Sequence, residues 1–483
     1  MSSRSGNANA KIQPVTASEL GYEITDRLKA LDIDTYVSVL LGAGASVGAG
    51  LPDWTQFLVQ CLLESGAIDE KELATAFVSR QDLMLVAEAA KAAAGDDWPR
   101  VLRQALYGDD RRVPPAELHA ATAAFAASRG PDRVGLFTLN YDLLLESALR
   151  EVLEEWQIDE TVSTRSTGRH AQSGFEIHHL HGVLTPTGTA ASSVVLTLSD
   201  YNKISSQMRP WQVSALQDAL QRGPLVLAGT SYSDPDIRQW MHELTVEEDA
   251  SGSPVLVFLA RESMKLSRQQ FESVGQALAD QWSAIGVTAV PTNDHLDAAQ
   301  ALRELPHVNQ ADYVPPAIRA ERLWLGHLSD FDAVQRDYAT ELDTDLDFVR
   351  HAFPQTQNVT LWIANDLGKL VRWASNDRLY RKAEQLLSIE PGYDSAWIAG
   401  QCLAQSDFLA RDIEEVSTAR WRSVVAVPLV VEVPGGPDFP YGVLSTASAG
   451  SIDDQPLDLM DETYATLASK WSEKLAGVYE GAD

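Results

Sequence analysis

The sequence predicts an α/β fold built on a doubly wound parallel sheet, with a helical insertion, followed by a smaller α+β domain. Three observations predict it. Short β-rich runs alternate with helical stretches from residue 20 to residue 305. The motif-bearing turns fall where those runs end. Beyond residue 321 the alternation gives way to paired strands between two long helices. Strands spaced by helices imply a parallel sheet covered on both faces, and such sheets bind ligands at the carboxyl ends of their strands.

The first run, VSVLLGAG at 37–44, feeds into a loop where Gly42, Gly44, Gly48 and Gly50 alternate with small residues. Backbone amides in such a loop approach a phosphate with no side chain in the way, and a following helix aims its positive end at the same spot. The loop reads as a dinucleotide diphosphate cradle, although glycine-rich tight turns also occur without a ligand. Its spacing is not the GxGxxG of hydride-transfer enzymes, and it lacks the Lys-Ser/Thr pair of a triphosphate loop. Helices are expected across an insertion at 56–130. The strands VGLFTLN (134–140), FEIHHLHG (175–182), SVVLTLS (193–199), PLVLAGTS (224–231), SPVLVFLA (253–260) and GVTAVPT (286–292), mostly separated by helices, complete the unit.

Residues 306–321, PHVNQADYVPPAIRAE, carry three prolines and no apolar period, and mark the seam between domains. A helix follows over 331–353. In VTLWIANDLGKLVRWAS (359–375), NDLG is a hairpin turn between two alternating strands. Two more strands, 423–433 and 441–448, flank the turn-rich PGGPDFP. Met460, Tyr464, Leu467, Trp471, Leu475 and Val478 recur at steps of three and four, the apolar stripe of a final helix.

Composition narrows the function classes. A formal net charge of -30 without a concentrated basic run argues against nucleic-acid binding. The longest apolar stretches, such as 424–431, fall far short of the roughly 20 residues that span a bilayer. Residues 1–19 are polar and read as a disordered leader without a secretion signal, giving a cytoplasmic expectation. The only two cysteines, Cys61 and Cys402, suit a reducing compartment and cannot by themselves build a structural zinc site, so no metal is expected.

Five blocks carry a family resemblance: GAGAS at 42–46, GLPDW at 50–54, TLNYD at 138–142, LHG at 180–182 and GTSYSDPDI at 229–237. In that order, at successive strand ends, they resemble the sirtuin superfamily over about 20–305. The resemblance implies that Gly42, Ala43, Gly44 and Ser46 hold the diphosphate of NAD. Asn140 would contact the nicotinamide ribose, Asp142 the carboxamide, and His181 would act on the ribose hydroxyls as general base. Gly229, Thr230 and Ser231 would line the adenosine side, with Asp53 of the second block also assigned to NAD binding.

The residue types suit that chemistry independently. Cleaving the nicotinamide glycosidic bond builds positive charge on the ribose, so the site must orient the leaving group and stabilise an oxocarbenium-like state. Histidine, titrating near neutrality, can take the proton. Plainer roles also exist. Period two puts His179 and His181 on one face, with Gly182 and the strand end favouring His181. Asn140 can cap a helix starting at Tyr141, Asp234 with Pro235 and Asp236 can start another, and Trp54 can pack under the loop.

Departures from the deacylase pattern set the subclass. Sirtuin deacylases carry a zinc module of two CxxC pairs, and this chain has two isolated cysteines. Their loop places an Arg soon after Pro-Asp-Phe, whereas Trp54 and Thr55 follow Pro52 and Asp53 here. The arrangement resembles the sirtuin-like NADase effectors of bacterial antiphage defence. Beyond the seam, 322–483 resembles a GAF domain, a sensory or dimerising module, which implies a small-molecule or cyclic-nucleotide trigger and a homo-oligomer. The expected activity is NAD glycohydrolysis to nicotinamide and ADP-ribose. A non-catalytic NAD, ADP-ribose or cyclic-nucleotide sensor and an ADP-ribosyltransferase remain the alternatives.

Overall fold

The computed structural model describes residues 22–109, 113–168, 173–187, 194–232, 234–247, 252–413, 421–454 and 457–479. The leader expected at 1–19 lies outside them. Seven strands form the first sheet: β1 (Val37–Leu41), β2 (Val134–Thr138), β3 (Val162–Arg165), β4 (Phe175–His179), β5 (Leu225–Ala228), β6 (Val255–Ala260) and β7 (Thr288–Thr292). Their order is β3-β4-β2-β1-β5-β6-β7, and every pairing is parallel. The doubly wound expectation holds.

The central strands are buried along their whole length because both faces are covered. Val39 and Leu41 of β1, with Val226 and Ala228 of β5, enter one core beneath the helices Glu117–Arg129, Leu144–Glu155 and His295–Glu304. Leu40, Leu225 and Leu227 point the other way, into the core shared with Trp211–Arg222, Pro235–His242 and Arg268–Ser283. Period two along each strand thus splits one apolar run between two cores.

In this sheet one strand forms that the sequence did not signal and one expected strand does not form, each for an identifiable reason. β3 is a short polar edge strand without the apolar run that would signal it. The expected strand at 193–199 does not form over its described part: residues 194–197 lie outside any strand, and a helix starts at Leu198. Thr197 caps that helix by accepting from the Asp200 amide in a capping box, which takes the chain out of extended conformation. Val194 and Leu196 instead pack against the helical insertion. The insertion comprises Trp54–Glu64, Lys71–Val78, Leu83–Ala94 and Trp98–Tyr107 around Phe57, Leu58, Cys61, Leu62 and Leu102. The following helix, Glu117–Arg129, belongs to the layer over the sheet, so the separately packed part ends near Tyr107.

The second sheet is antiparallel, with strands β8 (Thr356–Ala364), β9 (Leu370–Ser375), β10 (Ser388–Ile389), β11 (Leu409–Asp412), β12 (Ser423–Val431) and β13 (Phe439–Ser448). Its order is β10-β9-β8-β13-β12-β11. The hairpin at NDLG closes through the Asn365 amide on the Lys369 carbonyl at 2.9 Å, with Gly368 at a φ of 69°. Helices Pro316–Ser329, Phe331–Ala352 and Leu457–Ala476 cover one face around Trp373, Tyr464 and Trp471. Helix Ile398–Gln405 covers the other, where Cys402 is buried beside Trp362 and Val443 and its thiol donates to the Asp407 carbonyl at 3.2 Å. At the seam, Arg319 is buried against the Glu304 carboxylate and the Pro437 carbonyl, joining the two units.

Candidate functional site

From β1 the chain builds β2, β3 and β4 on one side, then crosses to β5 on the other. The switch point therefore lies between β1 and β5, and doubly wound sheets bind ligands in the crevice outside the strand ends at such a point. The loop after β1 carries Gly42, Ala43, Gly44 and Ser46, and the loop after β5 carries Gly229, Thr230 and Ser231. Asn140 follows β2, the other neighbour of β1.

The glycines are needed first for the fit of loop on loop. The Gly42 amide donates to the Ala228 carbonyl at 3.0 Å and the Gly44 amide to the Gly229 carbonyl at 2.9 Å. A methyl on Gly42 would stand 2.6 Å from the Gly229 oxygen, and one on Gly44 would stand 2.4 Å from His295 Cε1. Gly229 itself takes a φ of 65°, a left-handed conformation that favours glycine. Those two amides are committed to the protein, and the short helix Ala43–Gly48 begins beside the crevice.

Asn140 caps no helix, because the next one starts at Leu144 after Leu143. Its side chain instead reaches across to the glycine loop, where Nδ2 donates to the Gly42 carbonyl at 3.0 Å and to Ser46 Oγ at 2.8 Å. Ser46 Oγ in turn donates to Asp142 Oδ2 at 2.7 Å, and Asp142 Oδ1 accepts from the Leu144 amide at 3.0 Å. Asn140, Ser46 and Asp142 thus form one buried polar chain binding the ends of β1 and β2. Both Asn140 N–H groups are spent on it, which leaves the amide oxygen to meet a ligand hydroxyl.

The three histidines separate cleanly. His178 packs at a tilt against Phe137, with ring centroids 4.6 Å apart, and its Nε2 lies 3.2 Å from Glu176 Oε2. His179 is wholly buried, and its nitrogens donate to the Asn140 carbonyl at 3.0 Å and to Glu146 Oε1 at 2.8 Å. Burial alone would lower its pKa, but the Glu146 charge and these bonds raise it, and the ring braces the Asn140 turn. His181, past the end of β4, sets Nε2 3.2 Å from Asp236 Oδ2 and Nδ1 3.9 Å from Asp234 Oδ2. Tyr201 and Trp240 pack around its ring. Burial opposes its charged form, yet the charge of Asp234 and the Asp236 bond together raise its pKa.

The helix-start reading of Asp234 is correct: it caps Pro235–His242 by accepting from the Ile237 amide at 3.0 Å. It also supplies part of the charge at His181, so both readings apply. Asp53 is the N-cap of Trp54–Glu64, in a capping box with Gln56. Trp54 packs against the insertion core. Residue-by-residue reasoning did not single out Asp236 and Glu146 as partners of the two histidines, since only the packing of separate helices against β4 brings them there. Among the described residues no group of three or more His, Cys, Asp or Glu is arranged to hold a metal ion. No helix among them is long and apolar enough to cross a membrane.

Residues 134–288 match the SIR2-like domain family. That span runs from β2 to the start of β7 and contains Asn140, His179, His181 and the Gly229 loop, with the glycine loop after β1 ahead of it. The family includes NAD-dependent enzymes. No curated protein matches the chain. Among solved structures, a type II free methionine-R-sulfoxide reductase from Thermoplasma acidophilum is 14% identical, covers 30% of this chain and 94% of its own, and superposes with a TM-score of 0.21. The GAF domain region of a Geobacter sulfurreducens PCA protein is 16% identical, with 30% and 93% covered and a TM-score of 0.21.

Beside the glycine loop, Thr230 Oγ1 is buried without a hydrogen-bond partner among the described residues, in the loop expected to face adenosine. A buried hydroxyl left unpaired is costly unless a ligand takes it up.

Proposed function

We propose that the first unit cleaves NAD at the bond between nicotinamide and ribose, releasing nicotinamide and passing the ADP-ribosyl group to water. The observation that carries this reading is the convergence, at one switch point, of the glycine loop, the Asn140 turn and a buried His181 paired with Asp236. In the proposed reaction the C1′–N bond breaks with its electron pair going to the nicotinamide ring. Water adds to C1′ and loses a proton. His181 acts as the general base, and Asp236 stabilises the imidazolium that forms. The Asn140 oxygen, held by the Ser46 and Gly42 bonds, accepts from a ribose hydroxyl and fixes the sugar. Gly229, Thr230 and Ser231 take the adenosine side.

An enzyme that consumes NAD harms the cell that makes it, which supports a controlling role for the second unit, through a small ligand or self-association. Antiphage defence is the setting this reading favours. The test is NAD loss and nicotinamide release by the purified full chain, with Asn140→Ala and His181→Ala as comparisons. The proposal expects turnover in the parent protein and its loss in both variants. Unchanged turnover in both variants overturns the residue assignment. Tight NAD binding without turnover, or label from NAD appearing on protein, replaces hydrolysis by sensing or transfer.

A further inference from the structure

The second unit touches the first at the carboxyl end of the parallel sheet. The loop at 391–395, between β10 and the helix Ile398–Gln405, lies against the ends of β6 and β7. Asp394 grips the Arg261 guanidinium through two bonds, Oδ2 to Nη1 at 2.8 Å and Oδ1 to Nη2 at 2.7 Å. Arg261 follows directly on β6 and is 1% exposed. It also donates from Nε to Asn293 Oδ1 at 2.7 Å and stacks over the Tyr393 ring, 4.6 Å from its centroid.

The contact continues inward. Asn293 Nδ2 donates to Asp294 Oδ2 at 2.8 Å, while the Tyr393 amide donates to Asp294 Oδ1 at 3.3 Å. The next residue, His295, has its backbone amide on Glu262 Oε2 at 3.3 Å and its Nε2 3.0 Å from Ser263 Oγ, both on the turn that Arg261 begins. Its ring lies so close to Gly44 that a methyl there would meet Cε1 at 2.4 Å. Gly392 lets the loop backbone approach, since a methyl on it would come within 3.0 Å of Arg261 Nη2.

We propose that Asp394 of the second unit is a positioning residue for the first unit's crevice, acting through Arg261, Asn293 and Asp294 to hold His295 against the glycine loop. The second unit is thereby a structural part of the site, and any change in the 391–395 loop alters the packing of His295 on the glycine loop. A bidentate guanidinium–carboxylate pair fixes direction as well as distance, so it transmits a shift of the loop to the buried arginine. The inference rests on the reading of the crevice as an NAD site only for its kinetic consequence.

The test uses the full chain and three variants: Asp394→Ala, Asp394→Asn, and Lys369→Ala as a comparison. Lys369 makes an exposed ion pair with Glu390 on the same side of the second unit. Amide hydrogen exchange at 42–48 and 292–297 is read first. Exchange there is expected to speed up by about tenfold in Asp394→Ala, a typical coupling between sites, and by less in Asp394→Asn. Lys369→Ala should leave it unchanged. KM for NAD should rise in the same order, with kcat changing less. Equal exchange in Asp394→Ala and the parent chain overturns the inference. Failure of the parent chain to cleave NAD defeats the proposed function, while the exchange result still decides this one.

Discussion

Replacing Gly42 with alanine adds one carbon where the two walls of the crevice already touch. The backbone there, φ -107° and ψ -174°, is open to any residue, so the cost is purely one of contact. The new methyl would meet the Gly229 oxygen at 2.6 Å, Thr230 Cα at 2.7 Å and the Gly229 carbonyl carbon at 3.0 Å. All three are backbone atoms, so no flexible side chain can give way. Overpacking of this kind costs about 1–3 kcal/mol. In a unit of this size each kcal/mol lowers the melting temperature by about 2–4 °C. Gly50→Ala is the matched comparison, because Gly50 has a φ of 87° and nothing within 4 Å of the added carbon. Its cost is backbone strain alone, about 1–2 kcal/mol. Calorimetry and NAD titration of both variants should show both destabilised, with NAD affinity lost only in Gly42→Ala, whose clash pushes the β1 and β5 loops apart. Undiminished NAD affinity in Gly42→Ala, or the same loss in Gly50→Ala, would refute the idea that the fit between these loops shapes the site.

Two further expectations concern pH. His181 titrates above its ordinary value of 6.5, so as a base it becomes available only as pH rises through that raised value. The matching stability contribution is full below 6.5 and is lost over the same rise. If the chain cleaves NAD as proposed, the acid limb of kcat/KM lies above 6.5 in the parent protein and moves to lower pH in Asp236→Asn; a limb that stays in place removes the pair from the proposed mechanism. His327 behaves oppositely: burial lowers its pKa from 6.5 to about 4, against the Leu323 carbonyl that accepts from its Nδ1. The unfolded chain takes up that proton first, so the contribution is full above 6.5 and falls by about 3 kcal/mol as pH drops to about 4. Urea unfolding followed by tryptophan fluorescence should show this acid sensitivity reduced in His327→Phe, and an unaltered pH slope would count against it.

Much of the site was legible because its parts sit at strand ends that announce themselves. GAGAS, TLNYD and GTS each close an apolar run, LHG ends the alternating run FEIHH, and the sheet brings the loops after β1, β2 and β5 to one crevice. The choice of His181 over His179 as the residue near the crevice rested on Gly182, and the packing gives the physical difference: His179 is locked between Glu146 and the Asn140 carbonyl, whereas His181 lies beyond the strand beside Asp236. Partners such as Glu146, Asp236 and Asp394 were not legible, because each comes from an element whose position only tertiary packing decides. Apolar pattern misled at 194–197, where Val194 and Leu196 serve the insertion core rather than a sheet. β3 was missed because a polar edge strand owes its existence to pairing with β4 rather than to its own residues.

The pairing of β1 has a consequence for how the chain reaches this structure. Val37 pairs with Val134 and Ser38 with Leu225, so the central strand has no partner nearby in sequence, and the insertion must be spanned before the sheet can close. Loop-closure entropy and high contact order make such a sheet slow to nucleate. The second unit starts from local pairs, β8 with β9 across a tight turn and β12 with β13 across a short one, and only the joining of β8 to β13 is distant in sequence. Refolding from denaturant should show two phases, with the antiparallel unit forming first and the parallel unit closing onto it through Arg261 and Arg319.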